Sequence, residues 1–216
     1  MKPKLWKEIS VRQYEEGPPH FIVLQHGFLG CSYDMQQLKN CLMAELPAHT
    51  YVLTAKANDE NNQDTIGEMA DRLAAEIVLF CSSTIPELLD PTKRGGRVSF
   101  IGHSLGGLVV RKVLEDPRLK VLLPKLHLYI SLASPHVGTL YAESQLVSTG
   151  SWVLFQIKRC TVLKELSLED SLFGNYRSGT LYKLSNNGTL GYFQKVGGWV
   201  CYLVLLFLTC VRACLV

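Results

Sequence analysis

The sequence lacks the features that indicate metal or nucleic-acid binding. Its seven cysteines contain no C-x-x-C pair, and no cysteines and histidines have the spacing of a zinc site. Basic and acidic residues are mixed along the chain, which has a net charge of only +3 and no basic run. We therefore expect no metal, no cofactor and no nucleic-acid partner.

The sequence also lacks the marks of a secreted protein. Residues 1–8 contain no apolar segment of the kind that a secretory signal peptide needs. An odd, scattered set of cysteines is typical of reduced thiols, most of them buried. We therefore expect a cytoplasmic protein, with membrane association left open by the apolar C-terminal segment described below.

What is present predicts one α/β domain. The 216 residues, 47% of them hydrophobic, suffice for a sizeable core. Apolar runs typical of buried strands alternate with segments of helical spacing. We predict strands at 9–14, 21–25, 50–55, 97–101 and 126–133, and helices ending near 46, covering 64–78 and 108–114, and at 145–166. This alternation favours a mostly parallel sheet with helices on both faces.

A glycine-bounded serine lies between a predicted strand and a predicted helix. Residues 102–107 read GHSLGG. Glycines two positions before and two after Ser104 let the chain turn sharply, so that the hydroxyl stands exposed at the end of the strand. We interpret this segment as a nucleophile elbow with Ser104 as the catalytic nucleophile. The alternative is a serine in an ordinary glycine-rich turn.

A second loop, HGFLG at 26–30, follows the strand at 21–25. Stabilising the oxyanion of an acyl-transfer reaction takes two backbone N–H groups aimed at the developing charge. We predict that Leu105, directly after the serine, and Phe28 supply them. His26 precedes the serine, and we expect it to brace the loop by hydrogen bonds rather than act as a base.

These two segments, together with SPHVGT at 134–139, resemble the lipase-like serine esterases of the α/β-hydrolase fold. The likeness is greatest to the C-terminal domain of the proteins called "family with sequence similarity 135" and extends over about residues 15–195. The resemblance implies an α/β-hydrolase sheet and ester hydrolysis through an acyl-Ser104 intermediate. Lipid esters are the favoured substrate class.

The expected triad partners are missing from the chain. In this fold the acid and the histidine follow the nucleophile in sequence. No histidine follows His136, and no acidic residue follows Asp170. His136 ends a predicted strand at the correct edge of the sheet, whereas His127 begins that strand at the wrong edge. Glu143, on the loop after this strand, is followed by no histidine.

Acids on the helix after Ser104 do not replace the missing one. Glu115 and Asp116 lie roughly 17 Å from Ser104 along the helix axis. We therefore expect a C-terminally truncated hydrolase that lacks turnover, with His136 in a structural role. The alternatives are a pseudo-hydrolase that binds an acyl ligand or a partner, and a membrane-associated fragment.

The composition changes after residue 195. No residue from 196 to 211 is charged. We predict a hydrolase domain at 1–195 and an apolar tail outside the family at 196–216. Three interpretations of the tail are open. It is an extension produced by an alternative transcript or gene model, a strand that takes the place of a missing one, or a membrane contact through 199–211. Its sixteen uncharged residues fall short of the roughly 20 that span a bilayer. Without further strands, the strand ending at Ala133 would have an unpaired edge.

Overall fold

A computed structural model describes residues 17–61, 63–93, 95–138, 161–171 and 175–199. Five parallel strands form one sheet in the order β2-β1-β3-β4-β5. They are β1 (His20–Gln25), β2 (Thr50–Thr54), β3 (Arg97–His103), β4 (Leu126–Leu132) and β5 (Lys195–Trp199). The strands predicted at 21–25, 50–55, 97–101 and 126–133 are confirmed as β1 to β4, to within about two residues at their ends. Their continuous apolar runs suit strands that are covered on both faces.

Helices cover the two faces of the sheet unequally. They are α1 (Gln36–Glu45), α2 (Ile66–Thr84), α3 (Leu105–Val113), α4 (Thr161–Leu166) and α5 (Thr180–Asn186). One face, with Phe21 and Val23 of β1, packs against α2 to α5. The other, with Ile22 and Leu24, packs against α1. Within the described residues, no helix combines the length and the apolarity needed to cross a membrane.

Helix α2 illustrates how the sequence specifies these elements. The predicted apolar stripe is buried, from Ile66 through Ile77, and Val78 packs at its margin. Thr65 caps the helix: its hydroxyl accepts from the Glu68 N–H, and the Glu68 carboxylate accepts from the Thr65 N–H. This reciprocal pair satisfies N–H groups that have no partner within the helix.

The expectation of an unpaired β4 edge is wrong. Strand β5 pairs with β4 from Leu128 opposite Lys195 to Leu132 opposite Trp199. A strand is one of the interpretations of the tail from residue 196, but the bounds of β5 were not predicted, because two of its five residues are glycine, which weakens a strand pattern. The strand crosses the domain boundary predicted after residue 195. The strand predicted at 9–14 and the tail after 199 lie outside the described residues, as does the helix predicted at 145–166 up to residue 160.

All five strands run in the same direction, so their C-terminal ends meet at one edge of the sheet. We call this the carboxyl edge. It is where open α/β sheets bind their ligands.

Candidate active site

Backbone strain concentrates at the carboxyl edge. Leu29, Ser104 and Ala133 have φ values of 54°, 52° and 51°, although none of them is glycine. They follow β1, β3 and β4, which are neighbours in the sheet. A residue held in such a conformation costs of the order of 1–3 kcal/mol, and such residues cluster at active sites. The strain therefore marks the place where these three loops meet.

Ser104 occupies a sharp turn between β3 and α3. Its φ of 52° and ψ of −125° place it outside the helix that begins with Leu105. The Ser104 N–H donates to the Leu132 carbonyl oxygen at 2.7 Å, which ties the turn to β4. A Cβ atom on Gly106 would overlap the carbonyl oxygens of Gln25 and His26. Glycine at that position thus lets the start of α3 sit directly on the end of β1.

The loop after β1 lies against this turn. The Gly30 N–H donates to the Gly27 carbonyl oxygen at 3.1 Å, so Phe28 and Leu29 form the middle of a tight turn. A Cβ atom on Gly27 would lie 2.7 Å from Ser104 Cβ and 3.3 Å from Ser104 Oγ. The structure therefore brings the backbone beside Phe28 next to the serine hydroxyl.

Leu105 is the first residue of α3, and the first N–H groups of a helix have no partner within that helix. The N-terminus of a helix also carries partial positive charge. The start of α3 and the loop after β1 therefore both lie beside Ser104. Stabilisation of an oxyanion needs backbone N–H groups aimed at the developing charge.

Two acids hold the loop after β1 in place. His26 is buried, with Nδ1 3.0 Å from the Gly27 carbonyl oxygen and Nε2 3.1 Å from Asp59 Oδ1. Asp59 also accepts from the Ser32 N–H at 2.7 Å and from the Ser32 hydroxyl at 2.8 Å. Asp34 accepts from the Cys31 N–H at 2.9 Å. His26 thus braces the loop as expected, but nothing in the sequence pointed to Asp59 as its neighbour.

His136 is engaged through both ring nitrogens. Nε2 lies 2.7 Å from Ser131 Oγ, and Nδ1 lies 3.2 Å from Arg111 Nη1. A guanidinium can only donate, so Nδ1 accepts, and Nε2 carries the proton that it donates to Ser131. Burial, together with the charge of Arg111, lowers the pKa of His136, which keeps the ring neutral.

Arg111 is itself buried and donates from Nη2 to the Leu184 carbonyl oxygen. Burial lowers its pKa. No carboxylate in the described part of the chain bonds to it. His136 is thus oriented by a cation, whereas a triad histidine is oriented by a carboxylate. Nothing local in the sequence distinguishes Arg111 from Lys112, the basic residue that follows it in α3.

Two of the last three acids in the sequence, Glu165 and Asp170, stabilise helix starts. Glu165 is buried and accepts from the Ile66 N–H at 2.7 Å and from the Thr180 hydroxyl at 2.8 Å. Burial raises its pKa. Asp170 accepts from the Thr180 N–H at 2.7 Å. These carboxylates therefore have structural roles at α2 and α5.

The remaining candidates do not complete a triad. His127 begins β4 at the opposite edge, where its Nδ1 lies 2.9 Å from Gln194 Oε1. Glu115 and Asp116 bond to neighbouring side chains beyond the C-terminal end of α3. Glu143 lies outside the described residues. Among the residues that are described, no three His, Cys, Asp or Glu side chains are arranged to hold a metal ion.

A family model described as "Putative serine esterase (DUF676)" matches residues 15–198. Among solved structures, phospholipase PlaB from Legionella pneumophila, in complex with thio-NAD, is similar with a TM-score of 0.53 and 21% identity. That match covers 83% of this chain and 37% of the phospholipase.

The mature form of lipase BlEst2 from Bacillus licheniformis is similar with a TM-score of 0.50 and 15% identity. The match covers 84% of this chain and 64% of the lipase. The chain therefore spans less than two thirds of either protein. These similarities confirm the predicted α/β-hydrolase fold.

Proposed function

The chain belongs to the serine esterase family whose model matches residues 15–198, and from that membership we propose that Ser104 is the nucleophile of a carboxylic ester hydrolase. The observation that carries the proposal is the geometry of the strained turn. Ser104 stands between the start of α3 and the tight turn that contains Phe28. A serine held this way is presented to a ligand at the carboxyl edge.

The reaction follows from these groups. Ser104 Oγ attacks the ester carbonyl carbon as its proton passes to a base, and the carbonyl electrons move onto oxygen. The N–H groups of Leu105 and Phe28 stabilise that oxyanion. Its collapse expels the alcohol, which takes up a proton, and leaves an acyl-Ser104 ester. Water then attacks this ester and releases the carboxylic acid.

The chain performs this reaction slowly, because within the described residues no base is hydrogen-bonded to the Ser104 hydroxyl. Both nitrogens of His136 are engaged, by Ser131 and by Arg111. A serine hydroxyl is a weak nucleophile until a base takes its proton. These contacts favour a polypeptide that binds an acyl ligand without efficient turnover.

Lipid esters are the substrate class that we propose. The similar structures are a phospholipase and a lipase. The three motifs at 26–30, 102–107 and 134–139 also favour a relationship to the "family with sequence similarity 135" proteins. Cys31, Cys41 and Cys81 are free thiols, although only Cys81 is buried, and they support a reducing compartment such as the cytoplasm.

Labelling with a fluorophosphonate, in the presence and absence of imidazole, tests the proposal. We expect slow labelling of Ser104, identified by mass spectrometry, and faster labelling when imidazole supplies the missing base. Ser104→Ala abolishes the label, while His136→Gln leaves its rate unchanged. Labelling elsewhere, or labelling that is fast without imidazole and lost in His136→Gln, would overturn the proposal.

A further inference from the structure

The orientation of one peptide bond beside Ser104 is fixed by two hydrogen bonds. The carbonyl oxygen of Gly27 accepts from the Gly30 N–H at 3.1 Å, and it lies 3.0 Å from Nδ1 of His26. A carbonyl oxygen only accepts, so Nδ1 is the donor. Within the described residues every peptide bond is trans, so the N–H of Phe28 points the opposite way from this carbonyl group. The N–H is therefore directed out of the turn that holds the carbonyl oxygen.

This peptide bond lies where an oxyanion would form. Gly27 packs so closely against Ser104 that a Cβ atom on it would overlap the serine. An oxyanion on a group attached to Ser104 Oγ would thus form next to the peptide that joins Gly27 to Phe28. Donors stabilise such a charge when they are held in place before the reaction. The contacts that fix this peptide therefore contribute to the rate.

Asp59, on the loop after β2, holds the turn before and after it. Its Oδ1 lies 3.1 Å from Nε2 of His26, before the turn, and accepts from the Ser32 N–H at 2.7 Å, after it. Its Oδ2 accepts from the Ser32 hydroxyl at 2.8 Å. Carboxylate and carbonyl oxygens only accept, so the buried ring bonds to both when each of its nitrogens carries a proton. One carboxylate thus orients the ring that holds the Gly27 carbonyl group.

The loop that carries Asp59 is itself anchored to α2. The Asp59 N–H donates to the Lys56 carbonyl oxygen at 3.0 Å, which closes a turn. The neighbouring Asn58 is fully buried, donates from Nδ2 to the Met69 carbonyl oxygen at 3.1 Å, and accepts from Arg72 Nε at 2.9 Å. The carboxylate therefore extends from a fixed backbone, as a group that positions catalytic donors requires.

We propose that Asp59 is a positioning residue for ester hydrolysis: through His26 and the Gly27 carbonyl group, it holds the Phe28 N–H in the direction that stabilises the oxyanion. The inference rests on the proposed role of Ser104 as the nucleophile. Because Asp59 acts on a donor that is needed in the transition state, its effect lies in the rate of the chemical step rather than in the binding of the ester.

Fluorophosphonate labelling of Ser104, measured with imidazole over a range of reagent concentrations, tests the inference. We expect Asp59→Ala to lower the maximum labelling rate about tenfold or more, while the half-saturating concentration stays within about twofold of the wild type. Asp59→Asn keeps an oxygen acceptor for His26 Nε2 and the Ser32 N–H, so it should recover most of the lost rate. Circular dichroism melts establish that each variant is folded at the assay temperature.

Two further variants separate this role from a general loss of stability. His26→Gln places an amide nitrogen near the position of Nε2 but leaves no donor at Nδ1, so it should slow labelling as Asp59→Ala does. Asp116→Ala is the matched control. It also removes a carboxylate that accepts from a backbone N–H, that of Arg118 at 2.8 Å, but beyond the C-terminal end of α3. It should label within about twofold of the wild type.

A nuclear magnetic resonance signal tests the same inference without any reaction at Ser104. Gly27-Phe28 is the only Gly-Phe pair in the sequence, so ¹³C at the glycine carbonyls and ¹⁵N in the phenylalanines give one signal from this peptide. We expect Asp59→Ala and His26→Gln to move its carbonyl resonance upfield, since a hydrogen bond to the oxygen is lost. Asp116→Ala should leave it in place.

The two measurements separate the ways in which the account could fail. A carbonyl resonance that stays in place in Asp59→Ala would overturn the inference, whether or not Ser104 reacts. A maximum labelling rate that Asp59→Ala lowers no more than Asp116→Ala would overturn it as well. A wild type that is not labelled at Ser104 would overturn the proposed function, and the resonance would then decide the inference by itself.

Discussion

Arg111 Nη1 lies 3.2 Å from His136 Nδ1, at the position where the histidine of a catalytic triad would meet a carboxylate. This contact decides the role of the last histidine in the sequence. A carboxylate stabilises the imidazolium that forms when the histidine takes the proton of serine. A guanidinium destabilises it, because both would be cations. His136 thus lies on the carboxyl edge as a structural residue of the loop after β4.

The strained backbone of Ser104 makes a prediction about stability. Replacing Ser104 with glycine removes the hydroxyl and the Cβ atom that strains a turn with φ of 52°. Replacing it with alanine removes the hydroxyl alone. We expect Ser104→Gly to be more stable than Ser104→Ala by about 1 kcal/mol, because relief of strain exceeds the added chain entropy of glycine. Urea denaturation monitored by circular dichroism measures the difference. An alanine variant at least as stable as the glycine variant would show that the turn is not strained.

Asp59 makes a prediction about the loop after β1. Asp59→Ala leaves the Ser32 N–H without this acceptor and the buried His26 ring without its neighbouring carboxylate. We expect a loss of about 1–3 kcal/mol in the free energy of unfolding.

Asp64→Ala is the matched control for Asp59→Ala. It breaks a surface ion pair with Arg72, at 2.9 Å, and should cost less than about 1 kcal/mol. Similar losses in the two variants would contradict a special role for Asp59.

The sequence predicted the fold and the strand, turn and helix around Ser104. The apolar strands and the elbow around Ser104 are local patterns, each contained in fewer than ten residues. The contacts of Asp59 with His26 and of Arg111 with His136 join residues 33 and 25 positions apart, and no local pattern encodes such pairs. The bounds of strand β5 were missed for a different reason. Its two glycines weaken the sequence pattern of a strand, and the segment forms a strand through its pairing with β4.

His20 predicts a loss of stability in acid. Its ring is buried at the start of β1, with Nε2 2.8 Å from Ser99 Oγ. Burial, and then the charges of Arg97 and His127, lower its pKa to about 4. The unfolded chain, with a histidine pKa of about 6.5, binds the proton first. Stability therefore falls as the pH drops from about 6.5 to 4, by about 3 kcal/mol in total.

Urea denaturation at several pH values between 4 and 7 measures this dependence. His20→Gln keeps a polar group near Ser99 and should flatten the profile. His103→Gln, at an exposed site, should retain the slope of the wild type. Parallel profiles for the wild type and His20→Gln would show that another group is responsible.

The hydrolysis of p-nitrophenyl butyrate by the 216-residue chain is the most direct test of the central claim, that Ser104 is a nucleophile without a base. We expect at most the roughly 10³–10⁴-fold acceleration over water that remains when a triad is removed, well below ordinary enzyme turnover. His136→Gln should leave this rate unchanged. A kcat in the range of about 1–10³ per second that is lost in both Ser104→Ala and His136→Gln would contradict the claim and make His136 the base.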